Sequence, residues 1–292
     1  MTFVIGVDAG ATTTRCILGD ETGRSIGTGR AAGINQNSSG GDPVAQLRVA
    51  IEGALGDRDS SAVGGGVLAI AGAGSAGLVR AQRQADEVWL ALGLGGRPTV
   101  VPDVVATFAS GAGESAGSVL VAGTGAIAAV VEDDQVTRRA DGYGWLVGDI
   151  GSAVWLAREG LTAALAALDG RAAPTDLTRP LLAALGATTA QDVVAAVYSS
   201  EPAALGRLAP VVTGATGDAT AAGIVRRGVA GLLASFDAVA APAGPTVLGG
   251  ALLTTDGPVR SGVQHGLAER DVRDVRTAVD AATGAVRLAL RP

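Results

Sequence analysis

Residues 3–18, "FVIGVDAGATTTRCIL", carry an apolar run into an aspartate, a turn of small residues, three threonines and a second apolar run. "FVIGVD" (3–8) reads as a buried strand and "TRCIL" (14–18) as a second strand paired with it through a tight turn. "DETG" (20–23) is another turn signal, and "SIGTGRAA" (25–32) predicts a third strand. Three neighbouring strands on short connections make an antiparallel meander.

Helical spacing then appears in residues 43–55, where Val44, Leu47, Ile51 and Leu55 share a face behind Pro43, with Asp42 as a cap. "VGGGVLAIAGAG" (63–74) is a strand running into glycines, 78–92 a helix, and 98–110 a strand, an aspartate and a helix. The first half is thus βββ–α–β–α–β–α. The second half starts the same way: residues 117–142 read as strand, Gly/Thr turn, strand, turn and third strand. Alanine-rich helices follow at 151–169, 176–186, 190–198, 202–213 and 217–239, then a strand with a diglycine end (244–253) and a short terminal helix. The halves share an order of elements, with too little identity to be a sequence repeat.

The bulk numbers narrow the function. The 292 residues are 48% hydrophobic, with 3% aromatic side chains, enough for two lobes whose cores are Val, Leu, Ile and Ala. A net charge of −6 without a basic cluster argues against nucleic acid. No apolar run reaches the roughly 18–20 residues of a membrane helix. The N-terminus enters a strand without a signal-peptide pattern, so a cytoplasmic protein is expected. Cys16, the sole cysteine, cannot form an internal disulfide or a cysteine-built metal cluster. The chain has no lysine, which removes the P-loop lysine, the protein-kinase strand lysine and Schiff-base chemistry.

Two glycine motifs imitate a dinucleotide fingerprint. "GAGSAG" (72–77) follows a strand and precedes a helix, but it comes after residues 3–70 have already supplied strands and a helix. The acid expected about 20 residues on falls inside helix 78–92, at Asp86 and Glu87. "GTGAIA" (123–128) runs into a strand rather than a helix. His265 reads as a surface or turn residue.

"DAGATTT" and "AGTGA" each lie between two strands and offer successive backbone amides and a hydroxyl, the makings of a phosphate cradle. Without lysine, charge neutralisation falls to Mg²⁺, which takes one or two carboxylates and keeps several waters. Asp8 is placed to hold the ion beside residues 10–13, or else it stabilises the turn. Asp103, after "VVP" and ahead of a helix, is either a helix cap or the carboxylate that orients and deprotonates an attacking hydroxyl. "DGYGWLVGDIGSAVW" (141–155) gathers glycines, Tyr143, two tryptophans and Asp149, the composition of a sugar site or of a core with a helix cap.

In order, "GVDAGATTT", "GINQN", "PDVVATFASG", "LVAGTGAIA", "GYGWLVGDIGSAVW", "TGATGDATA", "VLGGAL" and "GAVRLAL" resemble the N-acetylglucosamine kinase branch of the BadF/BadG/BcrA/BcrD ATPase family, over nearly the whole chain. "GWLVGDIGSAVW" is the most specific part. The resemblance implies an α/β protein of two ribonuclease-H-like (actin-like ATPase) lobes with a central cleft. The lobes would span 1–112 and 113–278, with a helix in 279–292 returning to the first. It implies ATP and Mg²⁺, with Asp8 by the metal, Gly10, Ala11, Thr12 and Thr13 as the first phosphate loop, and Gly123, Thr124 and Gly125 as the second. Gly214, Asp218, Gly249 and Gly250 match the nucleotide side. Asp103 matches the base that takes the proton from a sugar 6-hydroxyl. Asn35, Gly142, Tyr143, Gly144 and Asp149 match the other sugar contacts. The family often has glutamate where Ile150 stands and tryptophan where Tyr143 stands.

The expected activity is phosphorylation of an amino sugar, N-acetylglucosamine first, with glucosamine or N-acetylmuramic acid as alternatives. The same resemblance implies a homodimer. A reading of another class is an ATPase or regulatory subunit without small-molecule phosphotransfer. The family's reductase-activating ATPases rely on cysteine-bound iron–sulfur clusters, which Cys16 alone does not provide.

Overall fold

The computed structural model describes residues 2–34, 42–73, 77–215 and 217–291. Among them, ten strands form two five-stranded sheets of one design. The first sheet has strands β1 (Phe3–Ala9), β2 (Thr13–Gly19), β3 (Ser25–Ala32), β4 (Val63–Ile70) and β5 (Pro98–Pro102), in the order β3-β2-β1-β4-β5. The second has β6 (Ala116–Ala122), β7 (Ala126–Glu132), β8 (Gln135–Asp141), β9 (Thr246–Gly249) and β10 (Val275–Thr277), in the order β10-β9-β6-β7-β8.

In each sheet an antiparallel three-strand meander continues into two parallel strands. The opening stretch therefore forms the centre of its sheet: β1 pairs antiparallel with β2, setting Asp8 opposite Arg15, and parallel with β4. β1 is apolar on both faces because it is covered on both. The meander and the two-lobe organisation expected from the sequence are what the structure contains.

On one side of the first sheet lie α1 (Pro43–Leu55) and α2 (Leu78–Ala91). Asp42 caps α1 by accepting the Val44 N–H at 3.0 Å, and Leu47, Ala50, Ile51 and Ala54 bury one stripe. Asp86 and Glu87 lie on the exposed side of α2. The second sheet packs against α4 (Ala153–Leu168) and α8 (Ala219–Ala238). Around these stand α5 (Thr178–Leu185), α6 (Ala190–Tyr198), α7 (Ala209–Gly214), α9 (Ala251–Thr254) and α10 (Pro258–Glu269).

Two helices lie between the sheets: α3 (Asp103–Gly111) and α11 (Ala281–Ala289). A single apolar cluster joins Val67 and Ala69 of β4, Val105 and Phe108 of α3, Ala285 and Leu288 of α11, and Val119, Ala129 and Val247 of the second sheet. The helices touch backbone to backbone, since a Cβ at Gly284 would stand 1.9 Å from the Ala106 carbonyl oxygen. Arg287 Nη1 donates to the carbonyls of Ala109 (3.1 Å) and Ser110 (2.8 Å). Residue 284 beside 106, and 287 beside 109–110, means that α3 and α11 run in the same direction, with both N-termini at one end.

Three expectations need correction. Residues 202–213 are not one helix: Pro202–Leu208 is a 3₁₀ stretch and only Ala209–Gly214 is α. The strand expected over 244–253 stops at Gly249, because Gly250 takes φ +79 and turns the chain into α9. The sequence reading also passed over β10, which is three residues long, and α10, although Val259, Val263 and Leu267 stand at helical spacing behind Pro258. His265 lies exposed on α10, 3.3 Å from Glu269. Among the described residues no single helix is long and apolar enough to cross a membrane.

Candidate active site

Asp8 occupies the C-terminal half of β1, where the chain leaves the sheet for the first Gly/Thr turn. That turn is closed by its own backbone, Gly10 N–H to the Thr13 carbonyl at 2.9 Å, and flanked by Ile34 N–H to the Gly10 carbonyl at 3.1 Å. Thr12 and Thr13 are exposed, while Thr14 is buried and donates to the Ala32 carbonyl at 2.7 Å. Asn35 lies outside the described residues.

Asp103 is the first residue of α3, and Pro102 holds the cap position. The cap expected as one alternative for Asp103 is thus one residue off: its carboxylate sits in the first turn, at the favourable end of the helix dipole. Asp103 lies close enough to Asp8 for its like charge to raise the cost of ionising Asp8.

The second lobe brings Asp149 to the same place. Asp149 is buried and adopts φ +57 in the loop before α4, whose N-cap Ser152 accepts the Trp155 N–H at 3.1 Å. Its Oδ1 accepts the Gly144 N–H at 3.2 Å, and a Cβ on Gly125 would stand 2.8 Å from its Oδ2. The carboxylate therefore rests on the second Gly/Thr turn (123–125). The loop is held by Asp141, at the end of β8, which accepts the N–H groups of Asp149 (2.7 Å) and Ile150 (2.9 Å). Gly142 and Gly144 have φ +73 and +93, and the exposed Tyr143 ring has the Arg139 guanidinium 5.7 Å above it. Ile150 packs over Gly231 of α8, and Trp155 lies in the core.

Gly249 and Gly250 are brought against the second turn: a Cβ on Gly250 would stand 2.4 Å from the Ala122 carbonyl, and one on Gly123 3.5 Å from the Gly250 Cα. Gly214 and Asp218 form a separate locus. Gly214 ends α7 with open space at its Cβ position. Asp218 caps α8 by accepting the Ala221 N–H at 2.7 Å, and it also accepts Thr175 Oγ1 (3.0 Å) and the Asp176 N–H (2.9 Å). Thr175, Asp176, Arg179 and Ala215 line a cavity of about 830 Å³ beside it.

Burial pushes the Asp8 carboxyl up to about 7, with Asp103 and Asp280 adding to the rise and Arg15 opposing it. Burial likewise raises Asp103, against the pull of the Val104 amide and its own. Asp149 is raised by burial, with the Gly144 N–H opposing and Asp141 and Asp103 adding. Three acids so destabilised as anions in one cleft fit a divalent cation. Among the described residues no group of three or more metal-ligating side chains could hold an ion alone. Mg²⁺ takes one or two carboxylates and completes its shell with water and phosphate oxygens, and Asp8 would be the carboxylate to hold it.

Three residues of this site escaped the sequence reading: Asp141, Arg15 and Asp280. Asp141 had a signal, an aspartate before glycine at a strand end. Asp280 had the signal of a cap before an alanine-rich helix. Arg15 had none beyond being a charge inside an apolar strand.

The sequence matches the BadF/BadG/BcrA/BcrD ATPase family over residues 5–227. N-acetyl-D-glucosamine kinase of Dictyostelium discoideum is 26% identical over 210 residues, which are 66% of this chain, so the chain spans 64% of the length of that relative. Among solved structures, a provisional N-acetylglucosamine kinase of Chromobacterium violaceum superposes with a TM-score of 0.78 at 26% identity, over 100% of this chain and 99% of that one. Its counterpart from Porphyromonas gingivalis gives 0.79 at 19% identity, over 99% of both chains, a likeness of fold.

Proposed function

Since the chain belongs to the BadF/BadG/BcrA/BcrD ATPase family, we propose that it is an ATP-dependent kinase that phosphorylates an amino sugar, N-acetylglucosamine in the first place, at the 6-hydroxyl. The observation that carries this reading is the placing of Asp8 next to the first Gly/Thr turn and of Asp149 against the second, with Asp103 near enough to each for its charge to be felt. The Dictyostelium and Chromobacterium relatives support the substrate class.

In this reading the amides of residues 10–13 and 123–125 hold the phosphates of ATP, and Gly249 and Gly250 let the second turn lie close to β9. Asp8 would hold Mg²⁺ through water. Bound there, the ion would neutralise charge on the phosphates. Asp103 accepts the proton of the sugar hydroxyl; its raised pKa makes it a better acceptor than an ordinary exposed aspartate. Asp149, aimed by Gly144 and fixed by Asp141, binds sugar hydroxyls together with Gly142, Tyr143 and Gly144. Asn35 is assigned to the same sugar site, and Gly214 and Asp218 to the nucleotide side. Closure of the lobes on α3 and α11 would exclude water and suppress ATP hydrolysis.

The test is a panel of N-acetylglucosamine, glucosamine, N-acetylmuramic acid and glucose with ATP and Mg²⁺, the product being located by phosphorus–proton NMR. A 6-phosphate of N-acetylglucosamine is expected. ATP hydrolysis indifferent to sugar, with no phosphosugar, would overturn the proposal in favour of an ATPase subunit.

A further inference from the structure

Side chains two residues apart on a strand share a face, so Asp8 lies on the face of β1 that carries Gly6. The first turn of α11 lies over Gly6: a Cβ there would stand 2.5 Å from both the Ala282 carbonyl oxygen and the Val286 nitrogen. The start of α11 is therefore beside Asp8, and the residue that caps it is Asp280. One oxygen of Asp280 accepts the Ala282 N–H at 3.1 Å, while the other pairs with Arg15 Nη2 at 2.9 Å. Arg15 is the direct cross-strand partner of Asp8, and directly opposed side chains in an antiparallel pair stand close on one face. Asp8, Arg15 and Asp280 thus fill one corner, where Asp280 is the better shielded member of the ion pair (13% exposed against 39%).

An arginine opposite a carboxylate ordinarily pairs with it. Here the guanidinium is taken by Asp280 instead. We propose that Asp280 is a positioning residue that holds the Arg15 guanidinium off Asp8 and so keeps that carboxylate free for the divalent cation that accompanies the nucleotide. This rests on the reading of Asp8 as the metal-side carboxylate. Cap and ion pair are separable, because asparagine caps a helix as well as aspartate does but cannot neutralise Arg15. Without the Asp280 charge, Arg15 turns to Asp8 and opposes the metal.

The quantity to measure is the affinity for the β,γ-imido analogue of ATP, by calorimetry on the whole protein, with Mg²⁺ and with EDTA. The ratio of the two affinities isolates the metal-dependent part without turnover. Asp280→Asn should lower that ratio about fivefold or more, the scale of one charge facing another at a partly exposed site. Arg15→Gln combined with Asp280→Asn should bring it back to the wild-type value, which a merely structural role of Asp280 would not do. Asp8→Asn should abolish the metal-dependent part. If Asp8→Asn behaves so while Asp280→Asn matches the wild type, or the double variant stays as weak as Asp280→Asn, the inference about Asp280 falls and the site stands. If Asp8→Asn leaves the ratio unchanged, both fall.

Discussion

Replacing Asp8 by asparagine should stabilise the ligand-free protein, and increasingly so as pH rises. Burial lifts the Asp8 pKa from 3.8 to about 7. The difference is roughly three units at about 1.4 kcal/mol each, so ionising Asp8 in the fold costs on the order of 4 kcal/mol. Below pH 3.8 folded and unfolded chains are both protonated and the cost is absent. Between 3.8 and 7 the unfolded chain has released a proton that the folded chain retains, so stability falls as pH rises. Above 7 both are ionised and the full cost is present. Asparagine is neutral throughout. The advantage of Asp8→Asn should therefore grow from about 2 kcal/mol at pH 5 to about 4 kcal/mol at pH 8. Urea unfolding of both proteins at pH 5, 6.5 and 8, in EDTA without nucleotide, measures it. An advantage that does not grow with pH, or a variant less stable at pH 8, would refute the argument that Asp8 is held at an energetic cost for a ligand.

Asp103→Asn should keep nucleotide affinity in calorimetry and lose about 10²-fold or more in turnover, the scale of a general base; near-normal turnover removes Asp103 from the chemistry. Asp141→Ala frees the amides of Asp149 and Ile150, and should raise the sugar KM about tenfold while leaving the nucleotide KM nearly unchanged, since a misplaced binding group acts first on what it touches. Gly284→Ala places a methyl group 1.9 Å from the Ala106 carbonyl. It should cost about 3 kcal/mol in chemical unfolding, the upper end for overpacking; an unchanged midpoint would mean that α3 and α11 separate without penalty.

Much of the first lobe was legible because its signals are local. An apolar run, a Gly/Thr turn and a second apolar run predict a hairpin, and Asp42–Pro43 marks the start of α1 without help from tertiary structure. Of the candidate site, the sequence singled out Asp8 and Asp103, acids near a strand or helix end, and Asp149 in the loop before α4. Arg15 and Asp280 are 265 positions apart in the chain, and only the packing of α11 onto Gly6 brings them together. The split of residues 202–213 and the shortness of β9 were illegible for a related reason. Alanine and glycine there give weak periodicity, and the chain follows its neighbours rather than its own propensity.

The convergence of elements at Asp8 also orders the binding events. α3 and α11 run in the same direction, so two helix N-termini point at the end of β1, and each carries an acid there: Asp103 in the first turn and Asp280 at the cap. Helix dipoles and turn amides favour an anion, but Asp8, Asp103, Asp149 and Asp280 put like charge in its way, and Arg15, the cation in that corner, is committed to Asp280. On the proposed assignment, bare nucleotide would meet a repulsive cleft, and a nucleotide that brings a divalent cation would convert the repulsion into attraction. Because binding linkage is reciprocal, the metal should strengthen nucleotide binding by the same factor by which nucleotide strengthens metal binding. In the proposed function a chain without lysine would hold a triphosphate in this way: amides and dipoles supply geometry, and the charge arrives with the ligand.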